Sequence, residues 1–529
     1  MSSESLMPPG ARNQTEVFAV HGADPEVLAY AMAKYSRSAL SMRESLAEIN
    51  RQRAEQFLNT FYFQYGHRSI ADLAHVAMAI ERLSLLAAIV LVDEQRWDGQ
   101  ERSTRYQNFL KSGWYFPDFG EDSGPAELYS DTITSLFAAY QRTTAAVLEA
   151  LRRRVSCPET MKPEAYERTL KARAFDVARY LLPLATNTSL GQITNARTLE
   201  TQVSRLLSHP AAEVRDLGAK LREAAIGPAW NVNALAGQTF VEKLAATDSE
   251  LAAEAAQLLT RELRSAPTLV KYAQPNDYEI QSRLELARAA EEILEGLPYA
   301  ETPVVDLVER TESLEVELAS TLLYSASHHP YRQIRDLVVG MGEARVNEII
   351  ELGLRHRGKH DEALRAFHAG AALRFDILMD IGGFRDMHRH RRCTQIIQAF
   401  TALHGYETPT SGDLGPEVNI LAEARVLAEF QSAIDQAHAA SARIAASSAP
   451  EAAQSALYLL PLATRIRSLF KMDFAEAQYI IELRSGPAGH FSYRRVAWEM
   501  FLALQRQHSA LAKQIRVTDF TQPIDLLQR

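Results

Sequence analysis

The heptapeptide YLLPLAT occurs twice in the chain, at 180–186 and again 278 residues later at 458–464. Seven identical residues at such a separation are not expected by chance, and an internal duplication constrains the fold before any local propensity is consulted. The likeness extends past the seven. Each copy follows an Ala-rich, helix-forming stretch (AYERTLKARAFDVAR; AAQSAL), and each precedes a polar stretch that reads as a loop and then an amphipathic helix. Upstream, AKYSRSA at 33–39 resembles LLYSASH at 322–328, each before a long amphipathic helix. The chain therefore reads as two copies of one domain, at 15–265 and 300–529, joined by a helical linker over 266–299. The linker carries breaker signals at Ala266–Pro267, Gln274–Pro275 and Gly296–Leu297–Pro298. Residues 1–14, rich in Ser, Pro and Gly, are expected to be disordered.

Most of the rest reads as helix. Apolar residues recur at i, i+3, i+4 and i+7 across 43–64, 124–154, 246–264, 280–295, 345–355 and 419–445. Strand candidates are few: 15–20 (TEVFAV) and parts of 85–92 and 375–381. This pattern favours a helix-rich α+β fold with a small sheet flanked by long helices, an all-α fold being the alternative.

Composition excludes several classes. Lys and Arg number 57 against 66 Asp and Glu, a net charge of −9, which argues against a general nucleic-acid binder. Only Cys157 and Cys393 are present, so neither a disulfide framework nor a Cys-rich zinc site is available, and no metal site is expected. The longest apolar run, LSLLAAIVLV at 83–92, ends at Asp93–Glu94 and reads as a core helix rather than a membrane span. With no signal peptide indicated, the expected location is the cytoplasm.

The densest cationic cluster is FRDMHRHRR at 384–392, holding Arg385, His388, Arg389, His390, Arg391 and Arg392 between apolar segments. Like charges packed so closely repel, and a bound anion compensates them; a plain surface patch is the other reading. Cys393 lies inside the cluster, where a thiolate would be favoured, although a structural role is at least as consistent. A second RHR, Arg355–His356–Arg357, stands at a helix end before Gly358 and suits the helix dipole. The loop GQERSTRYQNF at 99–109 brings together Glu101, Ser103, Arg105, Tyr106 and Gln107, groups able to hold a sugar phosphate. Gly66–His67–Arg68–Ser69 lies between two helical stretches and, taken alone, reads as a cap.

Taken together and in order, these pieces resemble the flavin-dependent thymidylate synthase family, with its GHxS, RHR, ExSxR, RxxLP and NAR segments. The first copy supplies Gly66–His67–x–Ser69, Asp72, Glu101–x–Ser103–x–Arg105, Arg179–Tyr180–Leu181–Leu182–Pro183 and Asn195–Ala196–Arg197. Its RHR slot reads Asp93–Glu94–Gln95. The second copy supplies Arg389–His390–Arg391 and Arg484, but its other slots read Ile397, Ala399, Thr401, Leu457 and Asp473–Phe474–Ala475. The losses are complementary.

The resemblance implies reductive methylation of dUMP to dTMP, with FAD as cofactor and NADPH and methylenetetrahydrofolate as co-substrates. It implies that Glu101, Ser103, Arg105 and Arg179 hold the nucleotide. It further implies that His67, Ser69, Asn195, Arg197, His390 and Arg391 hold the flavin, and that Arg389 and Arg484 serve catalysis. The implied partners are small molecules, not nucleic acid or membrane, and the implied assembly is a homodimer imitating the family's tetramer. Two alternatives stay open: a flavin- or nucleotide-binding relative with a different reaction, and a non-catalytic binding or assembly protein.

Overall fold

A computed structural model describes residues 24–34 and 68–527, apart from 232–233, 261, 310–311, 359–360, 362, 410–411, 415–417 and 514. The described residues form two compact units. One comprises those up to Val76 with Asn195–Arg197 and Ala224–Lys271; the other comprises Ala77–Thr194, Thr198–Glu223 and Tyr272 onward.

The first copy contains strands β1 (His75–Ser84), β2 (Asp98–Glu101) and β3 (Asn187–Asn195), with helices α1 (Leu85–Leu91), α2 (Ser123–Arg154), α3 (Pro163–Ala178), α4 (Ala196–Leu207) and α5 (Ala212–Ile226). Helix α6 (Asp277–Ile293) follows. The second copy contains β4 (Val305–Leu307), β5 (Leu373–Asp380), β6 (Thr394–Ile397) and β7 (Arg465–Met472), with α7 (Leu314–Ser325), α8 (Ile381–Met387), α9 (Leu427–Ala445), α10 (Phe474–Ser485) and α11 (Phe491–Gln507). The sheets are ordered β1-β3-β2 and β4-β5-β7-β6. The fold is α+β and helix-rich, with long helices beside small sheets. Among the described residues no helix is long and apolar enough to cross a membrane.

Two expectations are corrected. The polar stretches after YLLPLAT are strands, not loops: 187–195 is β3 and 465–472 is β7. In β7 the polar residues are nearly all buried and neutralised in place: Arg467 pairs with Asp376 at 3.0 Å and Lys471 with Glu317 at 3.1 Å. Polarity thus masked a central strand. Conversely, 85–91 is helix, because Ser84 accepts a hydrogen bond from the Ala87 amide and caps it. The strand expected at 15–20 and the helix expected at 43–64 lie outside the described residues.

The repeated heptapeptide joins the copies. Leu182, before Pro183, takes an extended conformation (ψ 120°), as a pre-proline residue must, and this ends the 3-10 turn that continues α3. The extended segment then pairs with its own duplicate. Leu184 N–H donates to Leu460 C=O at 2.9 Å, and Leu462 N–H donates to Leu182 C=O at 2.9 Å. Ala185 N–H reaches Tyr458 C=O at 2.9 Å, and Ala463 N–H reaches Tyr180 C=O at 3.0 Å. Pro183 faces Pro461 at the centre, where neither needs a donor. The flanking leucines are fully buried, each contributing roughly 1.5–3 kcal/mol.

The same local two-fold relates the surroundings. Ser84 caps α1 where Asp380 caps α8. Tyr115 N–H donates to Ala185 C=O where Glu407 N–H donates to Ala463 C=O, each at 2.9 Å. Glu101 pairs with Leu190 on β3 where Ile397 pairs with Ser468 on β7. These correspondences reproduce the sequence alignment of the two copies slot by slot.

Candidate functional site

The pairing sets α8 of the second copy beside the Arg105 loop and the end of α3 in the first. Arg385 of α8 forms an ion pair with Glu101, both nearly buried. One residue on, Asp386 meets Arg179 Nη1 at 3.5 Å. Burial alone would raise the Asp386 pKa, but Arg179, Arg389, Arg105 and Arg484 together hold it below the ordinary value. Two of those guanidiniums come from each copy.

Arg105 is fixed by Asp176, one turn before Arg179 on α3, through Nε–H to Oδ1 at 2.8 Å and Nη2–H to Oδ2 at 3.2 Å. Its Nη1–H donates to the Tyr493 hydroxyl of α11 at 2.8 Å. Ser103 Oγ accepts from the Arg105 amide at 3.2 Å and shapes the loop. His490 caps α11: its Nδ1 accepts from the Ser492 amide at 3.1 Å and its Nε2 lies 2.9 Å from Asp176 C=O. Burial, followed by Arg179, pushes the His490 pKa well down, so this ring is neutral and protonated on Nε2.

Arg179 is 2% exposed, yet its Nε and Nη2 carry no hydrogen bond among the described residues. Arg105, Arg179, Arg389 and Arg484 all act on Asp386, while Arg179 also acts on Asp380. Buried guanidinium donors left without a hydrogen bond fit an anionic group of phosphate type.

Behind this cluster lies the RHR segment. His390 Nε2 accepts from Arg484 Nε–H at 2.7 Å, and its Nδ1 lies 3.6 Å from Glu476. Burial lowers the His390 pKa despite Glu476. Arg391 stacks over Trp97 at 4.4 Å and donates to Arg389 C=O at 3.2 Å. Arg389, with its side chain 47% exposed, lies 3.9 Å from Asp386. Cys393 is buried, which pushes its thiol up to about 12, so the thiolate reading is overturned.

Where the first copy lost RHR, its acids are neutralised internally. Asp93 pairs with Arg365, and Glu94 with Arg205 at 2.7 Å. Burial would raise Asp93, but Arg365, His388 and Arg205 bring it down to about 2. The counterparts of Glu101, Asp386, Arg179 and Arg484 around the local two-fold are Ile397, Val90, Leu457 and Leu206. The second equivalent position is apolar and cannot hold an anion in the same way. The other RHR, at 355–357, is occupied with Glu285, which Arg355 meets at 3.2 Å and His356 at 2.9 Å.

The structure thus brings together Glu101, Ser103, Arg105, Arg179, Arg389, His390, Arg391 and Arg484. Asn195 and Arg197 belong to the other compact unit, where Arg197 pairs with Asp72 at 3.1 Å. His67 lies outside the described residues, as does the side chain of Ser69. Sequence reading missed Asp176, Asp386, Tyr493 and His490. Asp176 carried a local signal, one helical turn before Arg179; Tyr493 carried none, being 388 residues from its partner Arg105.

A profile of the family described as thymidylate synthase complementing protein matches residues 18–227 and 306–508. A UPF0159 protein of Chlamydia muridarum is 27% identical over 533 residues, covering 94% of this chain and 91% of that protein. One from Chlamydia pneumoniae is 27% identical over 521 residues, covering 91% and 88%. Another, from Thermoplasma acidophilum, is 25% identical over 525 residues, covering 92% and 94%.

Proposed function

Since the chain belongs to the thymidylate synthase complementing protein family, matched in two tandem segments, we propose that it is a flavin-dependent thymidylate synthase. In this reading it methylates dUMP reductively to dTMP, with FAD as cofactor and methylenetetrahydrofolate and NADPH as co-substrates. One observation carries it: guanidiniums of both copies converge on Asp386, and Arg179 keeps two buried donors unused.

In this reading the residues take the following parts, which their placement supports. Arg179 and Arg105 hold the nucleotide phosphate, Arg179 through its spare Nε–H and Nη2–H. Ser103 sets the loop that carries Arg105. Arg389, the most exposed of the four, reaches out over the bound ring with Arg484, placing positive charge where the uracil carbonyls gain electron density. Neutral His390, aligned by Arg484, and Arg391, propped on Trp97, would hold the flavin from this side. Bound flavin would supply hydride transfer to the one-carbon unit. Cys393, buried as a thiol, is not asked to act as a nucleophile.

His390 Nε2, already accepting from Arg484, favours a second reading, a nucleotide-binding relative that lacks the flavin step. The visible spectrum of protein incubated with FAD and dialysed, followed by assay of tritium release from 5-tritiated dUMP, separates the two. Flavin bands with tritium release support the first reading. A colourless protein that binds dUMP leaves the second.

A further inference from the structure

The other end of α8 opens onto a cavity of about 210 Å³ that the nucleotide cluster does not use. Its lining includes Tyr180, Phe491 and Phe520, and its polar residues are Asp380, Glu407, Thr408, Ser492 and Arg495. The internal two-fold shows why it exists. Glu407 stands where the first copy has Tyr115, and Tyr180 where the second copy has Tyr458. In the first-copy position the Tyr115 and Tyr458 rings lie 4.8 Å apart, and Phe116, half exposed, packs on Tyr129 at 5.5 Å. In the second-copy position Tyr115 and Phe116 are replaced by Glu407 and Thr408, and the space is left open.

We propose that this cavity is a second ligand site, taking a small planar ring with an amidine or guanidine edge, the chemistry of an aminopyrimidine or a guanine base. Its volume exceeds the roughly 150 Å³ that accommodates benzene in an engineered protein cavity, and so admits one substituted or fused ring. Three aromatic residues line it and supply apolar contact for a ring. The donor edge has two acceptors. Asp380 takes the Gly383 amide on Oδ1 at 2.6 Å and the Ser492 hydroxyl on Oδ2, which leaves part of its acceptor capacity unspent. Among the described residues the Glu407 carboxylate is held only by loose ion pairs, at 3.9 Å to Arg465 and 3.8 Å to Arg495, longer than hydrogen bonds. A planar pair of N–H donors matches such carboxylates bidentately, and Arg495, also on the cavity wall, is too loosely paired with Glu407 to take its place.

The test uses the full chain with benzamidine as the probe and toluene as its apolar counterpart, both followed by ligand-observed NMR. Saturable binding of benzamidine at one per chain is expected, undisturbed by dUMP or inorganic phosphate, with toluene at least tenfold weaker. Glu407→Tyr, which restores the first-copy residue, should fill the cavity, abolish binding and keep or raise the melting temperature. Should that variant not fold, Glu407→Gln decides, with an expected loss of at least tenfold. The proposal is overturned by no benzamidine binding, by toluene binding equally well, by wild-type affinity in a folded Glu407 variant, or by competition from phosphate, which would place the probe in the nucleotide cluster.

Discussion

Arg179 of the first copy and Asp386 of the second meet at 3.5 Å across the junction of the duplicated domains. Neither residue has an equivalent partner around the two-fold, because Leu457 and Val90 stand in their places. The asymmetry is what turns two diverged copies into one complete cluster. Replacing Arg179 by Ala should weaken dUMP binding by about 10- to 100-fold, the loss of a charge-assisted hydrogen bond of about 1.5–3 kcal/mol. Arg179→Lys should recover only part of it, since an ammonium lacks the fork. Calorimetric titration with dUMP measures both; equal affinity for Lys and wild type would remove the bidentate role.

How far this was legible beforehand can be read residue by residue. The duplication and its complementary losses were visible, because the slots are short linear motifs. Of the strands, only β5 (Leu373–Asp380) was, expected at 375–381. In β7 Arg467 and Lys471 look like loop residues until Asp376 and Glu317, on other elements, neutralise them. Likewise Asp386 gains its meaning from Arg179, 207 residues away. Linear pattern reports local structure, while buried charge depends on partners that only the fold brings together.

Arg391 rests on Trp97 and aims beside the cluster. Arg391→Ala should weaken FAD about 10- to 100-fold, read by quenching of flavin fluorescence, with dUMP affinity little changed. A loss of dUMP binding alone would reassign the residue to the nucleotide.

The first-copy RHR slot is structural in this account. Glu94→Gln leaves Arg205 without its partner, whose side chain is 23% exposed, so the cost should be about 1–3 kcal/mol, below that of a fully buried pair. Denaturant unfolding measures it. An Asp93→Arg, Glu94→His pair should destabilise the fold and create no second flavin site.

Asp380 is raised to about 6, mainly by burial, with Ser492, Arg179 and the Gly383 amide opposing and Glu407 adding to it. In the unfolded chain the same carboxyl titrates near ~3.9. Between those values the folded state holds the extra proton, so this group's stability contribution falls as pH rises through about 4 to 6 and stays lost above. Asn can still cap α8 but does not titrate. The unfolding free energy of wild type relative to Asp380→Asn should therefore drop by about 2 kcal/mol between pH 4 and 7. A difference independent of pH would contradict the assignment.

Gly383 packs under the same carboxylate. A Cβ there would lie 2.3 Å from Ser492 Oγ and 2.8 Å from Met379 Cε. Gly383→Ala should cost about 1–3 kcal/mol through overpacking, seen as a lowered melting temperature. A neutral substitution would mean that α8 is less tightly held than its contacts indicate.

The central claim is that the two copies build a single nucleotide site between them. The most direct measurement is the stoichiometry of dUMP binding by calorimetry, in wild type and in Arg105→Ala and Arg484→Ala, one substitution from each copy. The account predicts one dUMP per chain, with both variants weakened at least tenfold. Two dUMP per chain, or an Arg484→Ala variant that binds as tightly as wild type, would contradict it.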